Sequence, residues 1–190
     1  MGQYDWKESY QVVERALATL YGADDATRRG ALRARLDNLR RAKVLGVNPG
    51  KGQRNDYDRA QICKFLLALE FEEFGLAPAI IARLLTTRWE TFNDIIERAA
   101  RTPRDDQDVV LWIHPNMMSA RWRKYSEFTE IGDFHTRKGM DEFYSWLRAE
   151  KPGGMAKSSP RACVFNLSSR LRAFDKALTV ASMQEPSSSE

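Results

Sequence analysis

The sequence of 190 residues predicts a mostly α-helical fold with a small β component. Three observations carry that prediction. Apolar residues recur at spacings of three and four through the first half of the chain, the period of one helix face. Glycine- and proline-bearing stretches punctuate these runs. Short runs rich in β-formers, Val109-Val110-Leu111-Trp112-Ile113 and Ala162-Cys163-Val164-Phe165-Asn166-Leu167, stand beyond residue 108.

Residues 6–21 read as a first helix with Trp6, Tyr10, Val13, Leu17 and Leu20 on its apolar face. Gly22-Ala23-Asp24-Asp25 breaks it, and Asp24 or Asp25 can cap the next helix by accepting from the free amides of its first turn. That second helix, residues 26–44, buries Leu32, Leu36 and Leu39 as one seam. At 100° per residue, Arg29, Arg33 and Arg40 lie within about 40° of one another beside the seam, and Arg28 and Arg35 flank its other side. The stretch Gly46-Val47-Asn48-Pro49-Gly50-Lys51-Gly52-Gln53-Arg54-Asn55-Asp56 reads as a short hairpin with Lys51 and Arg54 near its tip. A third helix covers residues 57–74 through Ile62, Phe65, Leu66 and Leu69. After Gly75, Pro78 opens a fourth through Ile81, Leu84 and Leu85, running on past Trp89, Phe92 and Ile96 to about residue 100.

The polar run 101–108 marks a boundary between a domain at 1–101 and a small α+β module at 108–181, followed by a disordered tail at 182–190. In the module, His114-Pro115-Asn116 stops the first strand, and residues 122–134 are aromatic without a clear period. Residues 138–149 read as a helix, 151–160 as a loop and 162–167 as a second strand. Ser168 or Ser169 can cap a last helix through Leu171, Phe174 and Leu178.

Several function classes drop out. No stretch approaches the roughly 20 apolar residues that span a bilayer, so no membrane partner is expected. The first residues lack the layout of a secretory signal, which points to the cytoplasm. Cys63 and Cys163 sit in apolar runs, without the close pairing of a zinc site, and read as small buried hydrophobes. Gly50-Lys51-Gly52 is no nucleotide loop: three residues, not four, separate Gly46 from Gly50, and Gly52 replaces the hydroxyl that holds magnesium. His114 and His135 could be paired with Asp133, Glu130 or Cys163, but no spacing supports a triad. No catalytic residue, metal or cofactor is expected, and the protein does not read as an enzyme.

The charge is more informative in its placement than in its total of +4. Between Arg28 and Arg59 ten Lys/Arg stand against three acids, so this segment carries +7 and the remainder −3. A concentrated basic stripe is the footprint of a phosphate-binding face.

The order of parts across residues 10–85 resembles the winged helix-turn-helix of MerR-type regulators, phage excisionases and some terminase small subunits. The residues that carry the likeness are Leu32-Arg33 and Leu36, Leu39 with Val44-Leu45-Gly46, Gly52-Gln53-Arg54 and Tyr57, then Phe74-Gly75-Leu76, Ile81-Ala82 and Leu84-Leu85. The resemblance covers about 40% of the sequence. Such domains open with a short strand where residues 6–21 read here as helix, and Leu36 and Asp37 stand near the place of their aromatic pair. Arg54 and Tyr57 are separated by two residues where one is usual. The resemblance implies sequence-specific binding of double-stranded DNA. The second helix would enter the major groove, with Thr27, Arg28, Arg29 and Arg33 nearest the base edges and Arg40 on the same basic edge. Lys51, Gln53 and Arg54 would form the wing, on phosphates or in the minor groove. Tyr57 would pack under the wing or donate its hydroxyl to phosphate. The long dimer helix and metal ligands of the metal-sensing members are missing.

Two strands alone make a marginal sheet, so the module is expected to complete one across a two-fold axis in a homodimer. The leading expectation is a nucleoid-associated transcriptional regulator. The alternatives are an adaptor contacting RNA polymerase and a phage recombination or packaging factor.

Overall fold

The computed structural model describes residues 6–46, 56–102, 107–114, 130–135 and 163–184, and the fold is mostly helical with small sheets. It divides into two compact units, residues 1–89 with 170–190, and residues 90–169. The sequence places the boundary at 101–108 and keeps the last helix with the second part. The long-range contacts that return the last helix to the first unit have no local periodicity to announce them: Trp6 Nε1 donates to Asp175 Oδ1 at 2.9 Å, and the Trp6 and Phe174 rings meet edge to face at 5.1 Å. Among the described residues no helix is long and apolar enough to cross a membrane.

The first unit opens with β1 (Lys7–Ser9), not with helix. It pairs antiparallel with β2 (Asp56–Asp58), placing Glu8 opposite Tyr57. Ser9 is extended and its hydroxyl accepts from the Val12 amide, so α1 (Tyr10–Leu20) starts there and cannot run back to Trp6. Asp25 caps α2 (Ala26–Arg41) through the Arg28 amide at 2.8 Å. Leu32, Leu36 and Leu39 are buried, the seam the sequence anticipates. The helix ends three residues before the expected position, where Lys43 takes φ 63°. There the Val44 amide reaches back to the Leu39 carbonyl and the Lys43 amide to that of Arg40, a Schellman close with Val44 buried.

Asp58 and Gln61 form a reciprocal capping box, so α3 (Arg59–Glu73) begins after Tyr57 rather than at it. Its buried face runs from Ile62 through Phe71. Pro78 opens α4 (Pro78–Thr87), which does not run on to residue 100, because Arg88 leaves helical geometry at φ −122° and ψ 19°. The next helix, α5 (Trp89–Ala100), is separate.

The second unit takes α5 from Glu90 onward and a three-stranded antiparallel sheet. Its centre is β3 (Val109–His114), flanked by β4 (Glu130–His135) and β5 (Cys163–Asn166). Val109, Leu111 and Ile113 are fully buried. Two strands were legible and β4 was not, because its pattern is interrupted by Gly132. That glycine faces Trp112 across the ladder, and a Cβ built there would stand 2.6 Å from the indole. The glycine is what admits the ring. Among the described residues the second unit thus has three strands, where the sequence predicts two. The last helix, α6 (Leu167–Met183), is led by Asn166, whose Oδ1 accepts from the Ser169 amide at 2.9 Å, so neither serine is the cap. Its helical bounds also carry the chain past residue 182, where a disordered tail was expected to begin. The expected helix at 138–149 and loop at 151–160 lie outside the described residues.

Candidate nucleic-acid interface

The seam of α2 fixes which way the rest of the helix faces. With Leu32, Leu36 and Leu39 turned into the first unit, the opposite side consists of Thr27, Gly30, Ala31, Ala34, Asp37, Asn38 and Arg41, all exposed. Three of these seven have little or no side chain, so the helix backbone can approach another surface closely. Thr27, Asn38 and Arg41 supply donors and acceptors along the same face.

The arginines bordering this face divide into two groups. Arg28 pairs with Asp25 at 3.3 Å, and its Nη1 donates to the Gly22 carbonyl at 3.3 Å. The Nε of Arg33 donates to Glu14 Oε1 at 2.6 Å. Arg35 is closed against Glu72 and Glu73 at 3.0 and 2.6 Å. Arg40 reaches Asp37 at 3.3 Å and lies 4.8 Å from the centre of the Tyr10 ring. Arg29 and Arg41 are exposed and, among the described residues, meet no carboxylate. Counting charge along the sequence misses this pairing. Asp25, Glu14, Glu72 and Glu73, all outside the basic segment, take back four of its seven positive charges.

Glu14 was not among the candidates, yet it is the best-placed acid near the site. Its side chain is 8% exposed while that of Arg33 is 58% exposed. The hydrogen bond and charge of Glu14 hold the Arg33 guanidinium above its ordinary pKa. Only Nε is engaged by that bond, which holds the stem and leaves the two Nη groups uncommitted to Glu14. The signal was available in sequence: an acid between Val13 and Ala16-Leu17 interrupts an apolar helix face, and a buried carboxylate needs a cation.

Of the wing, Lys51, Gln53 and Arg54 lie outside the described residues. Tyr57 is buried, its ring 6.0 Å from that of Tyr10 and 5.5 Å from that of Phe65. Its hydroxyl has no hydrogen-bond partner among the described residues, and burial raises its pKa. Of its two readings, packing and phosphate donation, the burial matches packing.

The second unit holds the residues of the alternative catalytic reading and sets its two histidines at opposite ends of one strand ladder. His114 pairs in register with Glu130 and His135 with Val109, at opposite ends of the β3–β4 ladder. Five residues at roughly 3.3 Å each separate the two ends. Asp133 is taken by Arg98, which donates Nε to Oδ2 at 3.1 Å and Nη2 to Oδ1 at 2.8 Å. Cys163 is buried and its thiol pKa is raised by desolvation, the opposite of a nucleophile's setting. Cys63 is a second buried free thiol, as its apolar run suggested. No family model matches the chain, and no curated protein is significantly similar to it.

Proposed function

We propose that the protein binds double-stranded DNA in a sequence-dependent way, with α2 in the major groove, and regulates transcription as a homodimer. One observation supports this most: α2 is anchored by a leucine seam and presents on its far side small residues, Thr27, Asn38 and Arg41, all exposed. A helix of that shape fits a groove about 12 Å wide. Arginine reads guanine and asparagine reads adenine through paired hydrogen bonds, each discriminating by about 1–3 kcal/mol. Arg29 and Arg33 border the face and suit the flanking phosphates, which position without specifying. The strand before α1, a feature of MerR-type domains, supports the same reading. The homodimer is proposed on the two-fold symmetry of operator half-sites. Completion of a sheet lends it no support.

The test is selection of bound duplexes from a randomised library, followed by affinities on the enriched sequence and on an unrelated one. Asn38→Ala should weaken binding to the enriched sequence by roughly ten-fold or more and leave the unrelated duplex nearly unchanged. Equal losses on both would remove α2 as the reading element, and no enrichment by the wild-type protein would remove specificity.

The five ion pairs that engage arginines of α2 favour a second reading. A less cationic helix with a small-residue face can also dock on a protein, and RNA polymerase is the partner this reading takes. Retention of polymerase subunits by a protein that retards no DNA would select it.

A further inference from the structure

Gln11, Glu14 and Arg15 of α1 and Arg29 and Arg33 of α2 line a recess of about 230 Å³ between the two helices. Three guanidinium groups and one amide face one carboxylate there, and that carboxylate is already engaged by Arg33 Nε at 2.6 Å. Arg15 is anchored from behind, its Nη1 3.5 Å from the Ala181 carbonyl. A water occupies about 30 Å³ of liquid, so the space admits a tetrahedral anion with part of its hydration. Its donors are fixed in fork geometry, which suits phosphate oxygens more than a point cation does.

We propose that this recess seats one backbone phosphate of a bound duplex. Arg15, Arg29 and the Nη groups of Arg33 hold its oxygens, and Gln11 donates from the rim. Glu14 is a positioning residue: it orients Arg33 and touches no phosphate. The proposal rests on the DNA-binding reading and extends it to α1, which sequence did not place at the interface. Its lining gives it a net cationic character that the outer face of α2, which carries Arg41 and Asp37, lacks. Phosphate anchoring and base reading are thereby assigned to different surfaces of the same helix.

The experiment measures affinity of the full chain for two unrelated duplexes across a salt series. Arg15→Ala, Gln11→Ala, Glu14→Ala and Glu14→Gln are compared with wild type. Arg15→Ala should weaken both duplexes alike and flatten the slope of log affinity against log salt by about 0.9, the release expected for one lost phosphate. Gln11 is exposed, so Gln11→Ala keeps the fold and should weaken both duplexes with little change of slope. Glu14→Ala should lower affinity even though it removes a negative charge. Glu14→Gln, which still accepts the Arg33 hydrogen bond, should restore most of the loss. Wild-type affinity and slope in Arg15→Ala and Gln11→Ala, together with loss of binding in Arg41→Glu, would overturn the recess while leaving the DNA reading intact. If the wild-type protein binds no duplex, the DNA reading fails, and inorganic phosphate decides the recess. Arginine Hε resonances that move with phosphate in wild type and not in Arg15→Ala uphold a phosphate seat; unmoved resonances overturn it.

Discussion

Three helices of the first unit end in the same way, and one of the three uses an unfavourable residue. At the ends of α1 and α3, Gly22 and Gly75 hold φ 63° and 82°, and the next residues, Ala23 and Leu76, are buried and bond back to Ala18 and Phe71. At the end of α2 the same position is Lys43, at φ 63°. A side chain in that conformation costs about 1–2 kcal/mol, partly offset because glycine loses about 0.5–1 kcal/mol more freedom on folding. Lys43→Gly should therefore stabilise the protein by about 0.5–1 kcal/mol, whereas Gly75→Ala should destabilise it. The measurement is the urea midpoint, with the slope checked for constancy. A lower midpoint for Lys43→Gly would mean that the lysine does something at this position beyond closing the helix. The conformation was not legible from sequence, where Lys43 continues a helical run of basic residues and Gly46 looks like the stop.

The elements follow a similar logic. Those whose periodicity is self-contained were legible: the leucine seam of α2, the start of α4 at Pro78, and the apolar β3. Those whose limits depend on a partner elsewhere were not. β1 exists because β2 pairs with it across nearly fifty residues, and β4 because Gly132 accommodates Trp112. The start of α6 shows the difference at one side chain. Both Ser168 and Ser169 suit a cap by type, but Ser168 is fully buried and bridges two other elements. Its hydroxyl accepts from the Val109 amide at 3.0 Å and donates to the Ala99 carbonyl at 3.1 Å. Ser168→Ala leaves the buried Val109 amide without its serine acceptor and the Ala99 carbonyl with only the long bond from the Thr102 amide at 3.5 Å, and should cost about 1–3 kcal/mol, while Ser169→Ala, at an exposed position, should fall within roughly 0.5 kcal/mol of wild type. Equal effects of the two in thermal or urea unfolding would show that the bridge contributes nothing. The candidate site divides in the same way. The outward side of α2 follows from a wheel, but Glu14 and Arg15 enter only once α1 and α2 are packed.

At the scale of the molecule, the sequence reveals the basic segment but not the acids that fold back onto it, because charge along a chain carries no information about which helices meet. Titration has the same property, and it yields a prediction about the whole protein. Burial, together with the nearby Glu14 charge, pushes the Tyr10 hydroxyl from 10.0 up to about 12. Burial also raises Tyr21, helped by the charge of Glu70 and by the hydrogen bond to it at 2.7 Å, and it raises Tyr57 and the Cys163 thiol. Each of these groups holds its proton more tightly folded than unfolded. The stability each contributes is complete below its unfolded pKa and is lost as pH rises toward the folded value. Lys64 works in the opposite sense, since burial lowers its pKa, and it offsets part of the loss. Four groups against one give a net fall. The urea midpoint should hold steady up to about pH 9 and decline between there and about pH 12, with the part of the phenolate absorbance that Tyr10→Phe removes appearing as the protein unfolds rather than before. Tyr10→Phe should make the decline shallower. A midpoint unchanged through this window, or a Tyr10 that ionises in the folded protein near 10.0, would mean that this hydroxyl is not sequestered, and the packing of α1 against β2 and α3 would have to be redrawn.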